Sequence, residues 1–253
     1  MCATCGCEQK AGHDHGHAHD QGHGHGHGHE HAHGVTVRLE EGILARNDAF
    51  AKRNRAWFHE RSILALNLVS SPGSGKTTLL ARTIRDLRDR LPISVIEGDQ
   101  ETSRDADRIR AAGASAVQVN TGTACHLDAH QVEHALADLK PAAQSCVVIE
   151  NVGNLICPSM FDLGEERRIL VASVTEGEDK PIKYPHMFRS ADQIVLNKID
   201  LLPHVPFDMD SFMNFVRQVN PDAPVLPVSA TRGDGLAAWY DGILSFSRRP
   251  ASV

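Results

Sequence analysis

The sequence predicts an α/β protein built on a mostly parallel, doubly wound sheet with helices on both faces, and three observations carry that expectation. Seven short apolar runs alternate with amphipathic helical stretches, a glycine-rich turn separates the first run from the helix after it, and the chemically distinctive residues cluster where runs end. Of the 253 residues, 41% are hydrophobic and 23% charged, ordinary values for one sizeable domain with an appendage. Only 5% are aromatic, so the core must be built mainly from Val, Ile, Leu and Ala.

The appendage comes first. Residues 1–34 are low in complexity, with Gly or Ala between most histidines and hardly any apolar side chain to bury, so this tail is expected to stay disordered without metal. Ten of the sixteen histidines fall between His13 and His33. An expression tag would be contiguous, whereas this run is interrupted and follows a cysteine cluster.

The domain is expected over residues 35–253. In the lead-in, 35–61, Leu39, Ile43, Leu44, Phe50, Trp57 and Phe58 stand at roughly helical spacings among charges, which predicts one or two amphipathic helices. The seven apolar runs are ILALNLVS, ISVIEGD, AVQVNTG, CVVIENVG, RILVASVT, QIVLNKID and PVLPVSA. Helices are predicted from Thr77 to Arg90, Ser103 to Ala112, Leu127 to Leu139 and Asp208 to Val219. Ligands of such sheets bind beyond the carboxyl ends of the strands.

Several function classes drop out early. A formal net charge of -6 argues against nucleic acid as the main partner. No apolar run is long enough for a signal-peptide core or a membrane span, so a cytoplasmic protein is expected. Thiols stay reduced there, and closely spaced cysteines then read as metal ligands rather than disulfides.

Residues Ser70 to Thr78, SSPGSGKTT, follow a strand and open a helix, the context a phosphate-binding loop requires. Gly73, Ser74 and Gly75 let backbone N–H groups curl round the phosphates, and the helix N-terminus, from Lys76 through Thr77 to Thr78, adds its partial positive charge. Lys76 would neutralise the β- and γ-phosphates, and Thr77 would ligate Mg2+. The generic motif begins with Gly where this chain has Ser70.

Asn197-Lys198-Ile199-Asp200 supplies the choice of base. The Asp200 carboxylate can accept hydrogen bonds from both N1–H and N2–H of guanine, a pair adenine does not offer, so GTP and GDP are the expected nucleotides. Asn197 would brace the loop, Lys198 would lie along the ring, and Ser229-Ala230 would give a backbone contact to the guanine oxygen. Asp99 and Glu150, each at a strand end, are candidates to hold Mg2+ or orient the attacking water. No obvious glutamine is placed for the latter task, so slow turnover is expected.

Two metal-binding segments are predicted in the tail, and a third set of candidate ligands lies in the domain. Cys2, Cys5 and Cys7, with the α-amino group, offer three sulfurs and a nitrogen, a set that suits planar Ni2+ although Cu and Zn are chemically possible. The imidazoles of His13, His15, His17, His19, His23, His25, His27, His29, His31 and His33 should hold several ions weakly, as a store. Cys125 and His126 are adjacent and Cys157 follows Glu150. Spacing alone leaves these three open between a second metal site, linked reciprocally to the nucleotide, and a buried cysteine beside a helix-start histidine. For His130 and His134 a solvated helix face is expected, and for Cys146 a place in the core.

Taken together, MCATCGC, the histidine tail, SSPGSGKTTLL, EGDQET, TGTACHLDA, IENVGNLICP, TEGEDKPIKYP and LNKID resemble the HypB family of hydrogenase nickel incorporation proteins across nearly the whole chain, the Ser70 departure included. The resemblance implies a P-loop NTPase fold and a GTPase that dimerises on GTP and uses hydrolysis to control nickel delivery to the large subunit of [NiFe] hydrogenase. It also implies a high-affinity nickel site on the N-terminal cysteines and a Ni2+ or Zn2+ site on Cys125, His126 and Cys157. The implied helpers are a HypA-type nickel accessory protein and, in some organisms, a metal-binding prolyl isomerase. A urease accessory GTPase, which typically carries Cys-Pro-His, and a nickel store with a vestigial nucleotide domain are the rival readings.

Overall fold

The computed structural model describes residues 29–99, 104–122 and 124–247, with side chains of 29–40 and of the last two residues left out. Cys2, Cys5, Cys7 and the histidines from His13 to His27 lie outside the described residues.

Helix α1 (His29–Glu60) is continuous. It therefore starts within the histidine tract rather than at Val35, and it is one helix, not two. Glu, Ala and His carry little or modest helical penalty, and Gly34 alone costs about 1 kcal/mol, which a long helix tolerates.

Seven strands follow: β1 (Leu64–Ser70), β2 (Ile93–Asp99), β3 (Ser115–Asn120), β4 (Cys146–Glu150), β5 (Arg167–Ser173), β6 (Gln193–Asn197) and β7 (Val225–Pro227). They form one sheet in the order β3-β2-β4-β1-β5-β6-β7, and every pairing is parallel. Central strands of such a sheet are covered on both faces, which is why β1 and β4 are buried at every residue and read as continuous apolar runs. The edges are blunted by a three-residue β7 and a half-exposed β3.

The intervening helices are α2 (Lys76–Leu87), α3 (Arg104–Ala112), α4 (Ala129–Leu139), α5 (Lys180–Lys183), α6 (Pro185–Ser190), α7 (Met209–Val219) and α8 (Leu236–Ser247). One face of the sheet packs on α2, α3 and α8 through Leu79, Ile84, Ile109, Trp239 and Ile243. The other packs on α1 and α4 through Phe58, Val132 and Leu136, and on α6 and α7 through Phe188 and Phe212. Among the described residues no helix is long and apolar enough to cross a membrane.

Helix α1 clamps the segments that matter most for the site. Asn47 Nδ2 donates to the Asp162 carbonyl at 2.7 Å while its Oδ1 accepts from Ala129 N at 2.9 Å. One turn pair later, Asn54 Nδ2 donates to the carbonyls of Ala129 at 2.8 Å and Leu163 at 3.0 Å. Gly164 lets the chain pass beneath, since a Cβ there would lie 2.5 Å from the Ala51 carbonyl oxygen. Asn54 is only 2% exposed. Replacing it with Ala strips two carbonyls of a buried donor and should lower the unfolding free energy by about 1–3 kcal/mol. A urea titration with an unchanged slope checks this.

Candidate functional site

Beyond the carboxyl ends of the strands the chain makes a cavity of about 640 Å³, lined by Ser70 to Thr78, Asp99, Asp105, Arg108, Val152, Gly153 and Lys198. The loop between β1 and α2 forms its floor. Gly73 and Gly75 take the left-handed φ values of 77° and 94° that a glycine accepts without strain. At Gly75 space is also short, because a Cβ would meet Asn197 Nδ2 at 2.5 Å.

Two side chains at the start of α2 converge on β4. Lys76 Nζ donates to Glu150 Oε1 at 3.1 Å, and Thr77 Oγ1 donates to the same oxygen at 2.6 Å. Glu150 is 2% exposed, and its second oxygen, Oε2, is buried with no hydrogen-bond partner among the described residues. Asp99 lines the same cavity from the end of β2. Hydroxyl and carboxylate oxygens gathered in this way are the hard donors that Mg2+ prefers, so the residues fit the ion. Three residues on, the backbone of Gly153 lies against Pro72, where a Cβ would come within 3.2 Å of Pro72 Cα.

A carboxylate that sequence reasoning missed lies beside Glu150. Glu97 on β2 is the register partner of Glu150 on β4 and is 3% exposed, with Oε2 unpartnered among the described residues. Burial, reinforced by the charges of Glu150, Asp99 and Asp105, pushes its carboxyl up to about 8. The available signal was an acid inside a run otherwise read as a buried strand.

The base-recognition loop is braced against the phosphate loop. Asn197 is 2% exposed; its Nδ2 donates to the Ser74 carbonyl at 3.0 Å and its Oδ1 accepts from Ala230 N at 3.1 Å. The Ala230 N–H is thereby tied to the same side chain that braces Ser74. Lys198 adopts a left-handed φ of 62° and reaches back across the cavity, with Nζ 2.7 Å from the Gly73 carbonyl. Asp200 accepts from Ser229 Oγ at 2.6 Å, which aims its carboxylate.

The three candidate domain ligands meet. The sulfurs of Cys125 and Cys157 and a ring nitrogen of His126 all lie within 4.8 Å of one another. Helix α4 fixes one side of this group: Asp128 caps it by accepting from Gln131 N at 2.7 Å, while Gln131 Oε1 accepts from Asp128 N at 3.0 Å. The His126 ring stacks on Phe161, centroids 3.9 Å apart. Burial lowers the His126 pKa, opposed in part by Asp128, which favours the neutral imidazole that ligation requires. Asn154 Nδ2 contacts Cys157 Sγ at 3.7 Å. Two thiols and an imidazole make a borderline-soft set that suits Ni2+ or Zn2+.

His130 and His134 face one another, with Nε2 atoms 3.0 Å apart, and His130 packs edge-on against Phe50. His134 is exposed but His130 only partly so, and the pair is less solvated than its helical spacing implied. Cys146 is fully buried, its thiol pushed up to about 12 by desolvation, and it belongs to the core.

Fold and site together define a P-loop nucleotide-binding protein, and the sequence matches the family model described as CobW/HypB/UreG, nucleotide-binding domain, over residues 64–227. The hydrogenase maturation factor HypB of Rhizobium leguminosarum bv. viciae is 58% identical over 204 residues, spanning 81% of this chain and 68% of that protein. The crystal structure of HypB from Archaeoglobus fulgidus superposes with a TM-score of 0.76 at 38% identity, over 81% of this chain and 100% of that one. HypB from Helicobacter pylori in complex with nickel gives 0.75 at 38% identity, over 80% and 95%. The chain belongs to the HypB family of hydrogenase maturation factors.

The Glu97 carboxyl has a consequence for stability. It ionises near 4.5 in the unfolded chain and about 8 in the folded one, so unfolding releases a proton between those values and stability falls as pH rises across that window. Glu97→Gln cannot ionise. Its stability relative to the parent, measured by thermal melts without nucleotide, should rise from pH 5 to pH 8 and level off above.

Proposed function

We propose that the chain is a GTP-hydrolysing nickel metallochaperone that delivers Ni2+ during maturation of [NiFe] hydrogenase. One observation carries this reading: Glu150, bonded to Lys76 and Thr77 of the phosphate loop, is followed within seven residues by Cys157, whose sulfur groups with Cys125 and His126. Nucleotide chemistry and metal ligation thus share one stretch of chain.

In this reading the β- and γ-phosphates lie on the backbone of residues 73–78, with Lys76 against their charge. Thr77, Glu150 and Asp99 would hold Mg2+, which supplies charge neutralisation on the β- and γ-oxygens. Asp99 orients water towards the γ-phosphorus. The water oxygen bonds to that phosphorus as its bond to the bridging oxygen breaks, the bridging oxygen leaves on GDP, and the water protons end on inorganic phosphate. Asp200 selects guanine, with Ser229 holding its carboxylate in place.

Ni2+ is cargo here. Cys2, Cys5 and Cys7 would bind it tightly, the histidines would store it, and Cys125, His126 and Cys157 would hold it, or Zn2+, under nucleotide control. Family membership supports a GTP-dependent homodimer in the cytoplasm, working with a HypA-type accessory protein, the hydrogenase large subunit and, in some organisms, a metal-binding prolyl isomerase.

Lys76→Ala should abolish GTP turnover measured by phosphate release, while Asp200→Ala should keep phosphate binding and erase a GTP-over-ATP preference of at least about 100-fold. Equal affinity of the parent chain for the two nucleotides would end the guanine assignment. In cells, deleting the gene should remove hydrogenase activity, spare urease, and be rescued by excess nickel. Selective loss of urease instead would favour the rival accessory function.

A further inference from the structure

We propose that Asn151 is the positioning residue that couples nucleotide occupancy to the metal ligands, acting directly on the His126 segment and through Asn67, Glu165 and Arg168 on the Cys157 segment. The inference rests on the functional reading above and assigns the coupling to particular atoms.

Asn151 directly follows Glu150 and is 1% exposed. Its own N–H is tied to the Leu68 carbonyl at 3.0 Å, and its Oδ1 accepts from Leu127 N at 3.1 Å. Leu127 is the residue after His126. Its side chain is also wedged against β2, since a Cβ on Gly98 would meet Leu127 Cγ at 2.7 Å, one residue before Asp99. The His126 segment is thus keyed at two points to strands that carry nucleotide-site carboxylates.

The second arm leaves from the other end of the same carboxamide. Asn151 Nδ2 donates to Asn67 Oδ1 at 3.4 Å, and Asn67 Nδ2 donates to Glu165 Oε1 at 3.0 Å. Arg168 binds that oxygen through Nε at 3.1 Å and Nη2 at 2.9 Å. Its guanidinium then donates to the carbonyls of Ser159 at 3.2 Å and Phe161 at 2.8 Å. Those carbonyls lie in and just beyond the 3-10 turn Cys157–Met160. The arms close on each other, because the Phe161 ring stacks on His126.

Asn67, Asn151, Glu165 and Arg168 are all at least nine-tenths buried. A buried, close-packed network does not absorb a displacement at one end by giving way to solvent. The displacement has a discrete source: phosphates and a cation would compete with Glu150 for both Lys76 and Thr77, so nucleotide binding changes the partners of the residue joined to Asn151. By reciprocity, metal that draws Cys125, His126 and Cys157 together pulls on the same joint and alters nucleotide affinity.

The test measures the affinity of the full-length chain for GDP and for a non-hydrolysable GTP analogue, with and without saturating NiSO4. Cys157→Ser serves as the control that confines the effect to the domain site. In the parent, nickel should shift one of the two affinities by about fivefold or more, and Cys157→Ser should remove the shift. Asn151→Ala should still bind nickel and keep its nickel-free nucleotide affinity, yet show a shift below about twofold. If Asn151→Ala fails to fold, Arg168→Lys reports on the far arm, retaining the charge beside Glu165 while losing the reach to two carbonyls. A full shift in a folded Asn151→Ala, or in Arg168→Lys when it stands in, overturns the inference, as does a parent with no shift; either leaves the GTPase reading intact. A chain that binds no guanine nucleotide takes both down.

Discussion

The structure turns on one buried oxygen. Glu150 Oε1 accepts from both Lys76 and Thr77 at the end of β4, in a place where the Lys76 side chain is 12% and the Glu150 side chain 2% exposed. A charge so placed survives only with partners, and removing one partner of such a pair typically costs about 3–5 kcal/mol. The phosphate loop, the central sheet and the segment leading to Cys157 are therefore held in one arrangement. Whatever changes the partners of that oxygen must be accommodated by all three.

The sheet around it was legible because parallel strands buried on both faces leave an unmistakable record: all seven apolar runs became strands, and α2, α3, α4 and α7 began within two residues of the predicted starts, whereas α5, α6 and α8 were not foreseen. Where the expectation slipped, the reason is local. Helix α1 starts at His29 because a low-complexity stretch of Glu, His and Ala has nothing against helix once a packed helix follows it. The meeting of Cys125, His126 and Cys157 could be read only as an option, since sequence spacing cannot say that two loop segments after neighbouring strand ends close on each other.

The residues that escaped notice share one property. Glu97, Asn67, Asn151 and Arg168 are polar side chains inside or beside apolar runs, where periodicity treats them as noise. Each is buried, and burial makes a polar group informative, because it must be paired or else change its protonation. Asn67 and Arg168 answer by hydrogen bonding; Glu97 answers by keeping its proton. Family membership now gives the rest of the chain a context, and the histidine pair on α4 shows how far a helical-spacing argument reaches: it placed both rings on one face but not against each other.

The tight seat of Gly75 has a corollary for how such a chain can vary. Two unrelated obstacles guard the position, a backbone twist that only glycine tolerates and the carboxamide of Asn197 pressing from across the cleft. Shrinking Asn197 would clear the room yet leave the twist, and it would cut the tether to Ser74 as well. No lone compensating replacement can rescue a side chain there, so Gly75 is fixed by its own backbone as much as by the neighbour facing it.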